Sequence, residues 1–293
     1  EVSHSITEKF LEELKKETFV VKEITQKVSQ RHPPAPFTTS TLQQDGFNKL
    51  GFTAARTMRV AQQLYEGIEL GAEGPVGLIT YMRTDSVQVA AEAETQAKSF
   101  IEKRFGKNFL PETPRRYKSR RGAQEAHEAI RPTAVSKTPE EIKGFLTPEQ
   151  GKLYSLIWSR FLASQMASAK LEATTVTLAA GRCGFRATGT KILFPGFLRL
   201  QLKEKEAAPG ASALWLRLPE GAAPGASALQ VLRPEEEEEE TKTSSQRLPS
   251  LATGEKLNTI SIDPSQHFTK PPPRFTEASL VRTMEELGIG RPS

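Results

Sequence analysis

Gly77-Leu78-Ile79-Thr80-Tyr81-Met82-Arg83-Thr84-Asp85-Ser86 is the stretch on which the reading of this chain turns. An apolar run ends in a tyrosine, an arginine follows two residues later, and an Asp-Ser pair opens a helix-like segment. The run predicts a strand over Val76–Met82, and in a strand Tyr81 and Arg83 share a face. Asp85 or Ser86 predicts the cap of an Ala- and Glu-rich helix that runs to Arg104, before Gly106. A helix start beside the tyrosine supplies free N–H groups and positive potential, both of which favour a phosphate. The layout suits a tyrosine that attacks a phosphodiester.

A tyrosine that ends a strand is ordinarily a half-buried packing residue, so the chemistry has to come from its neighbours. A phenol has a pKa of about 10, and as a nucleophile it must lose its proton during attack. The phosphodiester gains negative charge in its transition state, which fixed positive groups stabilise. Arg83 is the local candidate, because a guanidinium binds two phosphate oxygens in a planar fork and stays charged. Thr80, Thr84 and Asp85 flank the pair. Strand-end and capping work is the ordinary role of such residues.

Three more stretches belong with this one. They are Pro36-Phe37-Thr38-Thr39-Ser40-Thr41-Leu42-Gln43-Gln44, then Gln124-Glu125-Ala126-His127-Glu128-Ala129-Ile130-Arg131-Pro132, and finally His267-Phe268-Thr269-Lys270-Pro271-Pro272 with Arg274-Phe275-Thr276-Glu277-Ala278-Ser279-Leu280 and Gly288-Ile289-Gly290-Arg291-Pro292-Ser293. Together and in this order, the four resemble the motifs of type IA DNA topoisomerases, bacterial topoisomerase I in particular. The resemblance reaches over nearly the whole chain apart from about 203–250. It implies that Tyr81 is the nucleophile and Arg83 its catalytic partner. DNA contacts are implied for Thr80, Thr84, Asp85, His127, Glu128, Arg131, Lys270, Arg274 and Arg291, with Glu128 orienting His127 or Arg131. It also implies magnesium held by an acidic (Toprim) domain that precedes the first residue of this chain. No Asp-x-Asp pair with a partner glutamate replaces that domain here, so no metal ligand is expected within the chain. The chain stops within the Gly-Arg-Pro-Ser motif and reads as an excised segment, expected to be inactive alone.

Composition describes a soluble globular protein: 293 residues, 26% charged and 37% hydrophobic, long enough for two domains with cores. No apolar run approaches the ~18 residues that a membrane helix needs. No signal peptide is visible at Glu1–Phe10. The single Cys183 excludes an intramolecular disulfide and a cysteine-only zinc site, and fits a reducing cytoplasm. No P-loop or other nucleotide motif is present, in keeping with a phosphotyrosine diester that stores the energy of the broken bond. Net charge is +5, with pI near 9.2. Charge is more concentrated locally: between Lys103 and Arg131 nine Lys or Arg oppose three acids, a patch suited to nucleic acid.

The organisation reads as α+β and multidomain. Ile6–Lys16 predicts a helix and Phe19–Ile24 a strand. Arg31–Pro36 is proline-rich and marks a hinge. Thr41–Leu50 ends at Gly51, and Thr53 caps Ala54–Glu66, which ends at Gly67, giving a helix-turn-helix-like pair. Thr138-Pro139-Glu140-Glu141 and Thr147-Pro148-Glu149-Gln150 are capping boxes with proline at the first helical position, the second opening a helix to about Ala167. Strands are predicted over Thr174–Leu178, Phe185–Thr188, Phe197–Leu202, Leu214–Leu218 and Leu257–Ile262. Ala-Ala-Pro-Gly-Ala-Ser-Ala-Leu occurs at 207–214 and again at 222–229, a local duplication rather than a solenoid, and Glu235–Glu240 reads as a solvated loop. Trp215 lies within this region and receives no role.

The expected architecture is a β-rich arch of 1–37 and 168–266 carrying an inserted α-rich, winged-helix-like tyrosine domain of 38–167. Residues 267–293 begin a DNA-binding region, and hinges are expected near 36–40 and 163–170. A monomer that prefers single-stranded DNA, without membrane or nucleotide partners, is the expected form. The rival from another class is a non-catalytic helix-turn-helix module, which would read duplex DNA. A nearer variant is the topoisomerase half of a reverse gyrase, which requires a helicase domain.

Overall fold

Local capping chemistry sets most helix starts. The structure, a computed structural model, describes residues 4–118, 127–200, 248–263 and 268–289. The expected strand at 214–218, the duplicated octapeptide, the glutamate run, Arg120, Arg121, His267 and Arg291 lie outside the described residues. The rest divide into two units.

The first unit comprises, among described residues, 4–31, 170–194 and part of 248–272. Helix α1 (His4–Lys16) precedes strand β1 (Phe19–Arg31). A long hairpin, β4 (Ala169–Ala180) and β5 (Cys183–Phe194), pairs antiparallel from Lys170↔Phe194 to Ala180↔Cys183. Gly181 turns it at φ 53°, in the left-handed region that glycine enters without a steric penalty. With β6 (Lys256–Leu257) the sheet order is β5-β4-β1-β6. Its core is small: Leu14, Val21, Val176 and Ala180 are buried, and Phe19 packs on Phe185 at 5.1 Å between ring centroids.

The strands depart from the sequence expectation at their ends. β1 runs on to Arg31 because β4 stands beside it, so cross-strand hydrogen bonds extend a polar tail that has no hydrophobic alternation. β6 stops at Leu257, because its partner there is Phe19, the first residue of β1. The described part of the expected strand Phe197–Leu202 is instead a helical turn at 198–200. Leu198 N donates to the Pro195 carbonyl at 3.0 Å and Arg199 N to the Gly196 carbonyl at 3.1 Å. Pro195-Gly196, with Gly196 at φ 48°, starts the turn and buries Phe197.

The second unit is helical. α2 (Thr39–Leu50) is capped by Thr38 and α3 (Ala54–Glu66) by Thr53, and Gly51 ends α2 at φ 67°. A two-stranded hairpin, β2 (Ile68–Glu69) and β3 (Pro75–Val76), follows α3. Then come α4 (Ala91–Phe105), the single turn α5 (Pro139–Ile142) and α6 (Pro148–Ser164). Thr138 and Thr147 form the expected capping boxes. α6 is the core helix. Leu153, Tyr154, Ile157, Phe161 and Leu162 are buried, and the Trp158 indole donates to the Val135 carbonyl at 3.0 Å. α7 (Glu277–Glu286) packs along α2, and the Glu277 carboxylate accepts from Ala54 N at 2.7 Å, at the start of α3. Among the described residues no helix is long and apolar enough to cross a membrane.

Candidate active site

The segment that carries Tyr81 is not the expected strand Val76–Met82: the chain bends at Thr80 and again at Met82. Regular pairing ends at Val76, and beyond it only Ile79 makes a bridge, to Pro132. Proline has no N–H and cannot continue a ladder. The neighbouring chain serves the segment residue by residue instead. Thr80 N donates to the Arg131 carbonyl at 2.9 Å, and Thr133 N to the Leu78 carbonyl at 3.0 Å. The Thr80 hydroxyl donates to the Ala129 carbonyl at 2.7 Å and accepts from Arg131 N at 3.0 Å. Phe37 bridges Ile130 of that neighbouring chain, and Thr39 bonds residues 82 and 84 of the segment itself.

Burial alternates from Tyr81 to Ser86 without the ladder. Leu78, Met82, Thr84 and Ser86 are buried, whereas Tyr81 is 47% exposed and Arg83 is exposed. Tyr81 and Arg83 therefore face solvent while their neighbours anchor the backbone. Among the described residues Arg83 carries no acid partner, and the Tyr81 hydroxyl makes no hydrogen bond. The Tyr81 ring packs edge-on against Tyr65 of α3, with centroids 5.5 Å apart and planes at 65°.

The helix expected from Asp85 or Ser86 begins only at Ala91, and its N-cap, Ala90, makes no side-chain cap. Hydroxyl turns hold the chain open: Ser86 N donates to the Thr84 hydroxyl at 3.0 Å and Gln88 N to the Ser86 hydroxyl at 3.1 Å. Gln88 also accepts from Ala129 N at 2.8 Å, tying this stretch to the 129–133 segment. The helix start that meets the site belongs to α2. Thr39 N, in its first turn, donates to the Thr84 carbonyl at 2.9 Å.

The other sequence candidates fall into distinct places. Glu128 and Arg131 form a pair in which the guanidinium Nε and Nη2 both reach Oε2, at 3.1 and 2.6 Å, and Nη1 donates to the Pro132 carbonyl at 3.0 Å. The Arg131 side chain is only 13% exposed, and Glu128 is its ion-pair partner. His127 is exposed, and Asp85 is partly buried. Lys270 and Arg274 are exposed in a stretch without regular secondary structure, Lys270 in the first unit and Arg274 in the second. Among the described residues no group of three or more His, Cys, Asp or Glu could hold a metal ion.

Three residues gave no functional signal in the sequence. Thr39 lies inside a quoted motif, but nothing in its type marks it as a clamp. Tyr65 is spaced like any amphipathic helix residue. Gly77 lets α3 approach closely: a Cβ there would lie 2.8 Å from the Tyr65 carbonyl oxygen, and Leu78 N donates to the Leu64 carbonyl at 2.7 Å. Around this framework burial shapes the ionisable groups. Burial pushes the Tyr117 phenol up to about 12, against the opposing pull of Arg115 and Arg160. Burial also lowers Arg160, whose guanidinium lies 4.5 Å from the centre of the Phe37 ring.

The chain is similar to known proteins over nearly its whole length. A family model described as DNA topoisomerase matches residues 3–293. The solved structure of full-length topoisomerase I from Thermotoga maritima superposes with a TM-score of 0.72 at 34% identity, covering 99% of this chain and 41% of that one. The chain thus spans about two fifths of the length of the relative it matches. On these two matches, the chain belongs to the type IA family of bacterial DNA topoisomerase I.

Proposed function

We propose that this chain is the strand-cleaving part of a topoisomerase that breaks and reseals one DNA strand to relax negative supercoils. The Tyr81 oxygen attacks the phosphorus, the bond from phosphorus to the 3′-oxygen breaks, and a 5′-phosphotyrosine diester forms. The phenol proton ends on the released 3′-hydroxyl, and resealing reverses each step. Arg83 neutralises the phosphate oxygens as charge develops. The observation that carries this reading is the exposed Tyr81–Arg83 pair on a backbone bonded from both sides. A short segment anchored at Leu78, Thr80, Met82 and Thr84 holds the two side chains toward one ligand, which is the preorganisation that phosphoryl transfer demands.

The sheet unit then serves as the arch and hinge, and the helical unit as the tyrosine domain. His127 and Arg274, both exposed on the helical unit, contribute hydrogen-bonding or positive groups to a DNA strand. Magnesium, assigned by family resemblance to an acidic domain, enters no step derived from these residues. The expected setting is a monomer in the cytoplasm.

The test is covalent attachment. The intact enzyme, incubated with magnesium and an end-labelled single-stranded oligonucleotide, should give a shifted band on a denaturing gel. Tyr81→Phe should give none, with folding intact. A wild-type band from Tyr81→Phe would sink the assignment.

A further inference from the structure

We propose that Tyr65 is a positioning residue for Tyr81, an inference that rests on Tyr81 being the nucleophile. The backbone on either side of Tyr81 is anchored at Leu78, Thr80, Met82 and Thr84. Its side chain has no such anchor. The ring stands half exposed, and among the described residues its hydroxyl bonds to nothing. An exposed aromatic side chain has more than one staggered rotamer open to it. Only one of these aims the oxygen at a phosphorus held beside Arg83.

The group that selects among rotamers is the Tyr65 ring, packed edge-on at 5.5 Å. This geometry is the one that aromatic quadrupoles favour. Tyr65 is itself well placed to act as a stop. It lies in the last turn of α3, beside the fully buried Leu64, and that turn is pressed onto the tyrosine segment at Gly77 and Leu78. The β2–β3 hairpin reverses the chain between them, so Tyr65 and Tyr81 rise from two backbones that cannot slide past each other. Yet Tyr65 is 41% exposed, more than a core residue of this unit. A ring kept that open adds little to the core, and its contact is with the nucleophile.

The experiment uses the intact enzyme with Tyr65→Leu, Tyr65→Phe and the Tyr81→Phe control. Three quantities are read: the single-turnover rate of adduct formation at saturating single-stranded oligonucleotide, the oligonucleotide Kd and the melting midpoint. Tyr65→Leu should slow adduct formation by about 10- to 100-fold, since small misplacements of reacting groups cost on this order. Its Kd and midpoint should stay near wild type. Tyr65→Phe should recover the rate, because the ring and not the hydroxyl does the positioning. If Tyr65→Leu fails to fold, Tyr65→Gln replaces it under the same criteria. A wild-type rate in the ringless variant overturns the role of Tyr65, and so does a defect confined to Kd, or a Tyr65→Phe variant as slow as Tyr65→Leu. Adduct from Tyr81→Phe would instead overturn the underlying assignment of the nucleophile.

Discussion

Thr39 stands in for a neighbouring strand at Thr84. Its hydroxyl accepts from Thr84 N at 2.8 Å and donates to the Met82 carbonyl at 2.7 Å, while its own backbone N donates to the Thr84 carbonyl at 2.9 Å. Arg83 lies between the two bonded residues, so one buried threonine sets the backbone from which the guanidinium projects. Thr39→Val keeps the shape and removes the hydroxyl, leaving a buried N–H and C=O unpaired. The expected loss of stability is about 1–3 kcal/mol. Urea unfolding should show a lower midpoint at unchanged slope, with Thr39→Ser closer to wild type. A Thr39→Val midpoint equal to wild type would show the clamp to be idle.

Gly77 is required by space, not by backbone angle. Gly77→Ala places a methyl 2.8 Å from the Tyr65 carbonyl oxygen, a backbone atom that cannot swing aside. Overpacking of this kind costs about 1–3 kcal/mol. Gly144→Ala is the control, because a Cβ there meets nothing within 4 Å. Thermal melts should lower the midpoint clearly for the first variant and barely for the second. Equal midpoints would contradict the close approach.

The pair Glu128–Arg131 should behave as a unit. Glu128→Ala strips the Nε and Nη2 partner from a guanidinium that is 13% exposed. A loss of about 1–3 kcal/mol is expected, since bonds to charged groups are costly to leave unmade. Adding Arg131→Ala should cost less than the sum of the single changes. Strict additivity in denaturant titrations would mean that the two residues do not cooperate.

Alkaline stability should fall through Tyr117. Its hydroxyl donates within reach of the Ser164 carbonyl at 3.0 Å and the Pro33 carbonyl at 3.2 Å, and burial pushes its pKa up to about 12 in the folded chain. An unfolded tyrosine titrates near 10. Between these values the native state holds a proton that the unfolded state has lost, so stability falls as pH rises from about 10 to 12. Tyr154, also raised by burial, adds to the same trend. Tyr117→Phe should flatten the fall measured by denaturant titration across that window. An unchanged slope would rule out Tyr117 as its source.

Binding to DNA should be electrostatic and should prefer single strands. Each neutralised phosphate contributes a slope of about −0.7 in log K against log salt. Anisotropy titrations at several salt concentrations should give a slope worth a few contacts. A clear duplex preference would favour the helix-turn-helix rival.

Much of the helical unit was legible because caps are local. Thr53, Thr138 and Thr147 each satisfy an N–H three residues on, so the signal and its partner sit in one short window. The same hydroxyl chemistry misled at Ser86. There hydroxyl turns, with Gln88 bonded to Ala129, held the chain open and delayed α4 to Ala91.

For the site, the sequence by itself determined the alternation that exposes Tyr81 and Arg83 while Met82 and Thr84 are buried, because apolar or hydroxyl residues take every second position there. Tertiary structure decided what holds that backbone. Pro132 interrupts the ladder, the hydroxyls of Thr39 and Thr80 replace it, and the Tyr65 ring meets Tyr81. Thr39 reaches Thr84 across 45 residues and Thr80 reaches Arg131 across 51. Partners so far apart in the chain leave no periodic trace, since their meeting depends on how α2, α3 and the 129–133 segment pack and not on any local conformational preference.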